Sequence, residues 1–268
     1  MSRQNSPIPR IRTIDPAAPF LWIRRGLADL RACPGPSLFY GGCFAFMGFF
    51  LAYVLRGEPA YLAAVTAGFL LLGPALTIGI CAISRRREMG AGCALWPTLT
   101  AWKDNSANLG LFSLVLIVIF LVWARASLVT FAMFFSGSMP DIKSLLIQLA
   151  APENYGFLFL WLVVGAIFAL LAFSISIIAI PLMIDRRSDA ITAALASIQV
   201  LLKNPGAMAM WAAIIAWTGA ASLLMGFLGL IFVAPLLGHA SWHAYRDLVE
   251  TESTGGTDEV KSVRADTR

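Results

Sequence analysis

The sequence has few charged residues, and this scarcity excludes an ordinary soluble domain. Charged residues make up 13% of the 268-residue chain and hydrophobic residues 59%, whereas about 25% of a soluble domain is charged. The apolar residues are gathered in blocks such as LGLFSLVLIVIFLVWA. Blocks of about 20 apolar residues are long enough to cross a hydrocarbon layer ~30 Å thick. The composition therefore predicts an all-α fold, a polytopic membrane helix bundle.

Residues that carry chemistry are also scarce. The four cysteines, Cys33, Cys43, Cys81 and Cys93, show no CxxC or other metal-ligand spacing, so we expect reduced thiols that pack inside the bundle. The sequence contains no GxSxG, no HExxH and no phosphate-binding glycine loop. We therefore expect neither enzymatic activity nor a cofactor.

Six segments are apolar and long enough to be spans. The run 207–238 would be ~48 Å long as a single helix, so we divide it between Gly226 and Gly229, where glycine makes a tight turn sterically easy. The N-terminus, MSRQNSPIPRIRTIDPAAP, is polar and lacks the apolar core of a signal peptide. The predicted spans are 37–55, 60–83, 109–133, 158–182, 207–225 and 228–245.

The basic residues predict the orientation of these spans. If both termini are cytoplasmic, 17 of the 20 Lys and Arg residues lie on the inner side, and the outer loops hold only Arg56 and Lys143. This bias is the one that the positive-inside rule describes. The basic segment SRRRE (84–88) is then placed to contact anionic lipid headgroups. The net charge of +5 needs no nucleic acid to explain it.

Three units of the six-helix domain (20–249) resemble one another. Each has a short amphipathic lead-in that we expect to lie in the membrane interface, then a span, then a second span with a proline near its cytoplasmic end: Pro74, Pro181 and Pro235. A proline frees the carbonyl four residues earlier, so broken helices either line a common polar centre, as in transporters, or only improve packing. The units are about 20–88, 93–188 and 189–247, and we expect residues 1–19 and 250–268 to be disordered.

The two histidines of the chain, His239 and His243, allow three interpretations. Residues four apart share a helix face, so both histidines can meet one divalent ion if Asp185 completes the site. His239 can instead handle a proton or an anion. The interpretation that we favour is structural, because Trp242 and Tyr245 beside the histidines are typical of an aromatic belt at a membrane interface.

Arg125 is a charged residue inside a predicted span. In the outer quarter of the layer its side chain can snorkel to the outer interface, or it can contact an anion in a pathway. The candidate substrate or ion pathway predicted from the sequence consists of Arg125, Asp185, His239, Pro74, Pro181 and Pro235.

Three stretches resemble a known family. LADLRACPGPSLFYGG, LLLGPALTIGICAISRRREMG and APLLGHASWHAYRDL are similar to the bacterial integral membrane family called domain of unknown function 2189, over roughly Phe20 to Val249. The resemblance implies a bacterial inner-membrane protein of about six helices and supplies no activity or site residues. The general plan also looks loosely like small permeases.

These observations lead to two hypotheses about function. The first is a permease or channel for a small anionic solute, based on the broken helices and the intramembrane polar residues. The alternative is a non-catalytic accessory or assembly subunit of a membrane complex, such as a respiratory one. The expected partners are the lipid bilayer with its anionic headgroups and either further copies of the chain or the subunits of that complex.

Overall fold

The computed structural model describes residues 8–54, 77–134 and 154–250, and helices make up most of them. Within these ranges no strand occurs, and the only extended pairing is a single bridge between Ile11 and Val249. This part of the chain is therefore all-α, as predicted. The helices are α1 (Ala18–Ala32), α2 (Pro34–Val54), α3 (77–88), α4 (Leu95–Leu99), α5 (Ser106–Phe134), α6 (Tyr155–Ser176), α7 (Ala179–Arg186), α8 (Ala190–Lys203), α9 (Pro205–Leu224) and α10 (Leu230–Leu248).

Three helical stretches of the described residues are long and apolar enough to cross a membrane: Leu95–Phe134, Tyr155–Arg186 and Pro205–Leu224. Many of their large apolar side chains face outwards, for example Trp217, which is 78% exposed, and Leu224, which is 91% exposed. Exposing this much apolar surface to water is unfavourable. Large contiguous apolar surfaces of this kind mark contact with a membrane or another protein. The helices α2 and α10 occupy the positions of two more predicted spans.

The prolines have different local effects. Pro181 is the third residue of α7, and the helix is interrupted before it at Ile177 and Ile178. The backbone N–H of Ile178 donates to the hydroxyl of Ser197 over 3.2 Å, which gives this donor a partner inside the protein. Pro235, in contrast, lies inside the continuous helix α10.

Pro74 lies outside the described residues, so the predicted set of three equivalent breaks stays a prediction. At Pro235 the carbonyl that proline leaves without its helical donor is that of Ile231. Gly41 of α2 packs directly on this carbonyl, and any Cβ at position 41 would overlap it. The α2–α10 contact therefore depends on a glycine facing a proline-modified turn.

The lead-in helix α8 turns its small residues inwards. Ala193, Ala196 and Ser197 are fully buried, whereas Ile191 is 68% exposed and Leu202 is 75% exposed. Small residues let helices approach closely in membrane proteins, and large apolar residues are left for lipid. The large apolar residues therefore lie on the outer face of α8, and the position of this helix in the membrane interface stays a prediction.

Part of the N-terminal segment that the sequence predicts to be disordered (1–19) is described by the structure, whereas residues 1–7 and 251–268 of the predicted disordered ends lie outside the described residues. The N–H of Arg12 donates to the carbonyl of Leu248 over 2.7 Å, and the N–H of Glu250 donates to the carbonyl of Arg10 over 3.0 Å. The side chain of Asn204, at the turn between α8 and α9, accepts from the N–H of Ile14 over 2.9 Å. These hydrogen bonds hold residues 10–14 beside the end of α10, so residues 10–14 and 248–250 lie at the same end of the bundle.

The cysteine expectation is wrong for one pair. Cys33, at the end of α1, and Cys93, just before α4, form a disulfide with Cα atoms 5.4 Å apart. That separation is within the range that a disulfide requires. The two positions are 60 residues apart in sequence, so no spacing rule pairs them, and only the return of the chain after α3 brings them together. Cys43 and Cys81 are free.

Candidate functional site

Charged residues gather at the end of the bundle where residues 10–12 pair with residues 248–250. Five arginine–carboxylate pairs link α1, α3, α7 and α10 there, and we call this region the charged end. Its ion pairs are Arg25–Asp247 at 2.8 Å, Arg85–Asp185 at 3.1 Å, Arg246–Glu88 at 2.7 Å, Arg246–Asp185 at 3.8 Å, and Arg87–Asp29. The charged end combines residues from the first, second and third predicted units.

Asp29 is the most buried carboxylate of the charged end, with its side chain 3% exposed. It accepts hydrogen bonds from the Ser84 hydroxyl at 2.6 Å and from His243 Nε2 at 3.0 Å, and it also pairs with Arg87. Burial raises the pKa of Asp29, but the hydrogen bonds from His243 and Ser84 lower it by more, so its pKa is below the ordinary value of 3.8. Asp29 is therefore an ionised carboxylate that only accepts hydrogen bonds.

A chain of hydrogen bonds leads from Asp29 into the protein. His239 is fully buried, and its Nδ1 lies 2.7 Å from the Ser84 oxygen, while its Nε2 lies 2.9 Å from the Ser37 oxygen. Ser37 is also 2.7 Å from the carbonyl of Cys33. We call Asp29, Ser84, His239 and Ser37 the buried chain.

The hydrogen-bond inventory assigns the tautomer of His239. Ser84 has a single proton, and since the Asp29 carboxylate can only accept, Ser84 donates to Asp29. His239 Nδ1 must then donate to the Ser84 oxygen. With His239 neutral, Nε2 is an acceptor and Ser37 donates to it; with His239 protonated, Nε2 donates and the Ser37 proton turns to the carbonyl of Cys33. Both states satisfy every polar atom of the buried chain.

Local helix geometry places these side chains. His239 and His243 lie one turn apart on α10, so both face α1, and Ser84 and Arg87 are similarly spaced on α3. Gly26 allows the approach of α1 to α10, because a Cβ at this position would lie 2.9 Å from the backbone nitrogen of Ala240. Asp29 follows Gly26 by three residues and therefore points into the same contact.

A cleft of about 450 Å³ lies at the Asp29 end of the buried chain. The wall of the cleft contains three guanidinium groups, one imidazole and two carboxylates. Cationic groups therefore outnumber anionic ones. Asp29, Ser84 and His243 belong both to this wall and to the hydrogen-bond network described above. The lining residues are Arg25, Asp29, Ser84, Arg87, Glu88, His243 and Arg246.

The residues predicted as a metal site are not assembled as a set. His239 and His243 do share a face, as predicted, but they meet Asp29 at 4.0 Å and 3.0 Å. Asp185 instead contacts Arg85 and accepts from the Tyr245 hydroxyl at 2.7 Å. In the part of the chain that the structure describes, no group of three or more His, Cys, Asp and Glu side chains has a metal-binding arrangement.

The aromatic belt predicted beside the histidines is also corrected. Trp242 and Tyr245 are each only 1% exposed, so they do not face headgroups. The Trp242 indole donates to Glu88 over 2.9 Å. These rings fill the protein interior at the charged end because their polar atoms find carboxylates there.

Arg125 is not part of the charged end. It lies 19 residues after the start of α5, ~28 Å along the helix axis, and it is exposed. Within the described ranges it forms no ion pair with another side chain. The choice between snorkelling and an anion contact for Arg125 therefore stays a prediction.

Sequence reasoning missed Asp29, Ser37, Ser84 and Arg87. A signal for them was present, because three family-like stretches, LADLRACPGPSLFYGG, CAISRRREMG and APLLGHASWHAYRDL, contain the whole buried chain. Each stretch carries only one or two of these polar residues, so their association becomes visible only when three helices bring the stretches together.

In the part of the chain that the structure describes, the apolar helices, their outward-facing large side chains and the charged end are those of an integral membrane protein. The family model "Predicted integral membrane protein (DUF2189)" matches residues 62–185, which confirms the family suggested by the resemblance. The match is shorter than the resemblance indicated and ends before the histidine-containing stretch. No curated protein and no solved structure matches the chain.

Proposed function

We propose that this chain is a bacterial inner-membrane permease or channel for a small anionic solute, which docks in the cleft of the charged end. Six spans form three hairpins with interfacial lead-in helices, and both termini are cytoplasmic. The bridge between Ile11 and Val249 supports the placement of both chain ends on one side. The arginines of the charged end support its assignment to the cytoplasmic face.

The observation that carries this proposal is the cationic cleft above a buried polar chain. Arg25, Arg87 and Arg246 line about 450 Å³ of space, a volume in the range of small-molecule sites, which is about 300–1,000 Å³. Guanidinium groups bind carboxylate and phosphate through paired hydrogen bonds. The break before Pro181 supports a transport role as well, since interrupted helices accompany substrate sites in transporters.

The proposal is tested by flux into vesicles. Full-length protein is reconstituted in phosphatidylethanolamine–phosphatidylglycerol vesicles, and uptake of labelled phosphate, sulfate, acetate and succinate is compared with empty vesicles. We expect at least one anion to enter faster with the protein and Arg246→Gln to reduce that rate at least fivefold. Arg24→Gln removes an exposed arginine of α1 that does not line the cleft and should leave the rate unchanged. Uptake equal to that of empty vesicles for all four anions contradicts the proposal.

One observation favours the accessory-subunit alternative. Each cleft arginine already has a carboxylate partner within the protein: Asp247 for Arg25, Asp29 for Arg87, and Glu88 for Arg246. A network in which each arginine is already paired with a carboxylate is also suited to a region that only holds the helices together. Extraction in mild detergent followed by mass spectrometry separates the two functions. Stoichiometric foreign subunits support the accessory role, and the chain alone or as a homo-oligomer supports the permease.

A further inference from the structure

We propose that the Cys33–Cys93 disulfide is a reversible thiol–disulfide exchange site for a cytosolic dithiol, and that its opening frees the wall of the cleft formed by α3. The inference rests on the proposed function in two respects: the cytoplasmic position of the charged end and the binding of an anion in the cleft. Cys33 follows Asp29 by four residues, and Cys93 follows Glu88 by five. Each half of the disulfide therefore lies close in sequence to a residue that lines the cleft.

The proposed orientation places this disulfide where disulfides rarely persist. The cytosol keeps thiols reduced, and the disulfides that do form there are usually transient, in catalysis or redox sensing. A disulfide that only stabilises the fold belongs on the opposite, oxidising side of the membrane. The position of Cys33–Cys93 beside the charged end therefore favours a bond that is made and broken.

The two sulfur atoms differ in their access to solvent. Cys33 is 1% exposed and packs in a small apolar cluster with Tyr40 and Ile83, whereas Cys93 is partly exposed. Exchange requires a thiolate to reach one sulfur of the disulfide. The incoming thiolate therefore attacks Sγ of Cys93, and Cys33 is the leaving group.

The dithiol supplies every electron and proton that the exchange needs. Its first thiolate bonds to Sγ of Cys93 while the bond between Cys93 and Cys33 breaks, which gives a mixed disulfide and a Cys33 thiol. Its second thiolate then displaces Cys93, so the dithiol becomes a disulfide and the chain gains two thiols. The reverse reaction with an oxidised dithiol closes the bond again.

A short loop, residues 89–92, connects the disulfide to α3. The closed disulfide holds the end of α3 near the end of α1, where Arg87 pairs with Asp29. Gly90 and Gly92 have φ of 71° and 72°, a conformation that glycine adopts without steric cost, so the loop backbone can rearrange once Cys93 is released. We expect Arg87 then to exchange Asp29 for an entering anion more readily.

Thiol counting in cells tests the reversibility. Cells that make the full-length chain are quenched in acid, the protein is denatured, and a maleimide–polyethylene glycol tag is added to each free thiol. Of the four cysteines, Cys43 and Cys81 are free, so the closed form carries two tags and the open form four. We expect four tags in growing cells, two after brief treatment with diamide, and four again after diamide is removed. The matched control, Cys93→Ser, should carry three tags throughout.

Two results of this count overturn the exchange site. Two tags under every condition mean a permanent structural disulfide, and four tags after diamide mean that the bond does not form in cells. A reporter fused after Glu250 separates the first result from a failure of the orientation. A cytoplasmic reporter with two tags throughout overturns the exchange site alone, and a periplasmic reporter overturns the orientation as well.

The effect on the cleft is measured in the same phosphatidylethanolamine–phosphatidylglycerol vesicles. Oxidised and dithiothreitol-reduced wild type are compared for amide hydrogen exchange in residues 89–93 and for uptake of labelled phosphate, sulfate, acetate and succinate. Reduction should speed the amide exchange at least tenfold and anion uptake at least twofold, whereas dithiothreitol should change neither rate in Cys93→Ser.

The outcomes distinguish this inference from the proposed function. Equal amide exchange in the two redox states, or uptake that is measurable but equal, overturns the control of the cleft and leaves the permease intact. Faster amide exchange on reduction with no uptake in either state overturns the permease and supports the exchange site.

Discussion

Asp29 joins the buried chain to the cleft, and its charge should matter for stability. Replacement by asparagine removes a carboxylate that accepts from Ser84, His243 and Arg87 and leaves those donors with a weaker partner. We expect Asp29→Asn to lower the free energy of unfolding by about 1–3 kcal/mol. Chemical unfolding in detergent micelles measures this change. Asp104→Asn, at an exposed position of the turn before α5, is the control and should have no effect.

The same carboxylate should make stability depend on pH. Because the pKa of Asp29 is lowered in the folded protein, its contribution is fully present above the ordinary value of 3.8 and is lost as pH falls through the folded pKa. Melting temperatures of wild type and Asp29→Asn should therefore converge as the pH is lowered from about 5 to about 2.5. A constant difference over this interval would show that the Asp29 charge does not stabilise the fold.

Single residues show where the sequence was informative. The four-residue spacing of His239 and His243 correctly placed them on one face of one helix, because helix geometry is local. Their partner Asp29 lies at the other end of the sequence, 214 residues from His243, so its contact depends on how α1 packs against α10. The sequence carries no local pattern for that packing, so it does not point to Asp29, and from the sequence Asp185 is the carboxylate expected beside the histidines instead.

The contact between helices α2 and α10 depends on Gly41. A methyl group at this position would overlap the Ile231 carbonyl that Pro235 leaves free, so Gly41→Ala must push the helices apart. We expect a loss of about 1–3 kcal/mol, as for other overpacked sites. A methyl group at the adjacent Gly42 would have no neighbouring atom within 4 Å, so Gly42→Ala is the matched control. Equal thermal stability of the Gly41→Ala and Gly42→Ala proteins would contradict this close contact.

The lead-in helix α8 begins at a side-chain cap. The carboxylate of Asp189 accepts from the backbone N–H of Thr192 over 2.9 Å, and this hydrogen bond lowers the pKa of Asp189. Asp189→Ala should cost about 1 kcal/mol, the usual cost of removing an N-cap, whereas Asp189→Ser should retain most of the stability. Unfolding in micelles tests both variants, and equal stability of the Ala and Ser proteins would exclude a capping role.

The positions of the helices were easier to predict from the sequence than the contacts that each helix makes. Long apolar runs identified α5, α6 and α9 because span length follows from membrane thickness, and the proline at 181 located the break before α7. The sequence predicted α8 as an interfacial helix but did not identify Ala193, Ala196 and Ser197 as its inward face, because small residues do not stand out as an apolar stripe. The disulfide was also missed, since it depends on the path of the chain after α3.

Residues 10–14 and 248–250 form one unit at the charged end. Asn204 connects this unit to the bundle by accepting from Ile14 and donating to the carbonyl of Arg12 over 3.0 Å. Asn204→Ala removes both bonds, so amide hydrogen exchange in residues 10–14 should become at least tenfold faster. Exchange in the middle of α5 should stay the same. Protection that is unchanged at residues 10–14 would mean that the bridge to Val249 alone holds the segment.

Because Ile11 pairs with Val249, these two positions should lie on the same side of the membrane, and one experiment can test the orientation of both. Seventeen of twenty basic residues fall on the side assigned to the cytoplasm, and moving such residues across the membrane is unfavourable. A fluorescent protein fused after Glu250 should fluoresce, and alkaline phosphatase at the same position should be inactive; fusions at Lys143 should give the opposite pair. An N-terminal fusion must report the same side as the Glu250 fusion, because Ile11 and Val249 are paired. Active phosphatase at Glu250 would contradict the orientation, and opposite sides for the two ends would contradict the bridge itself.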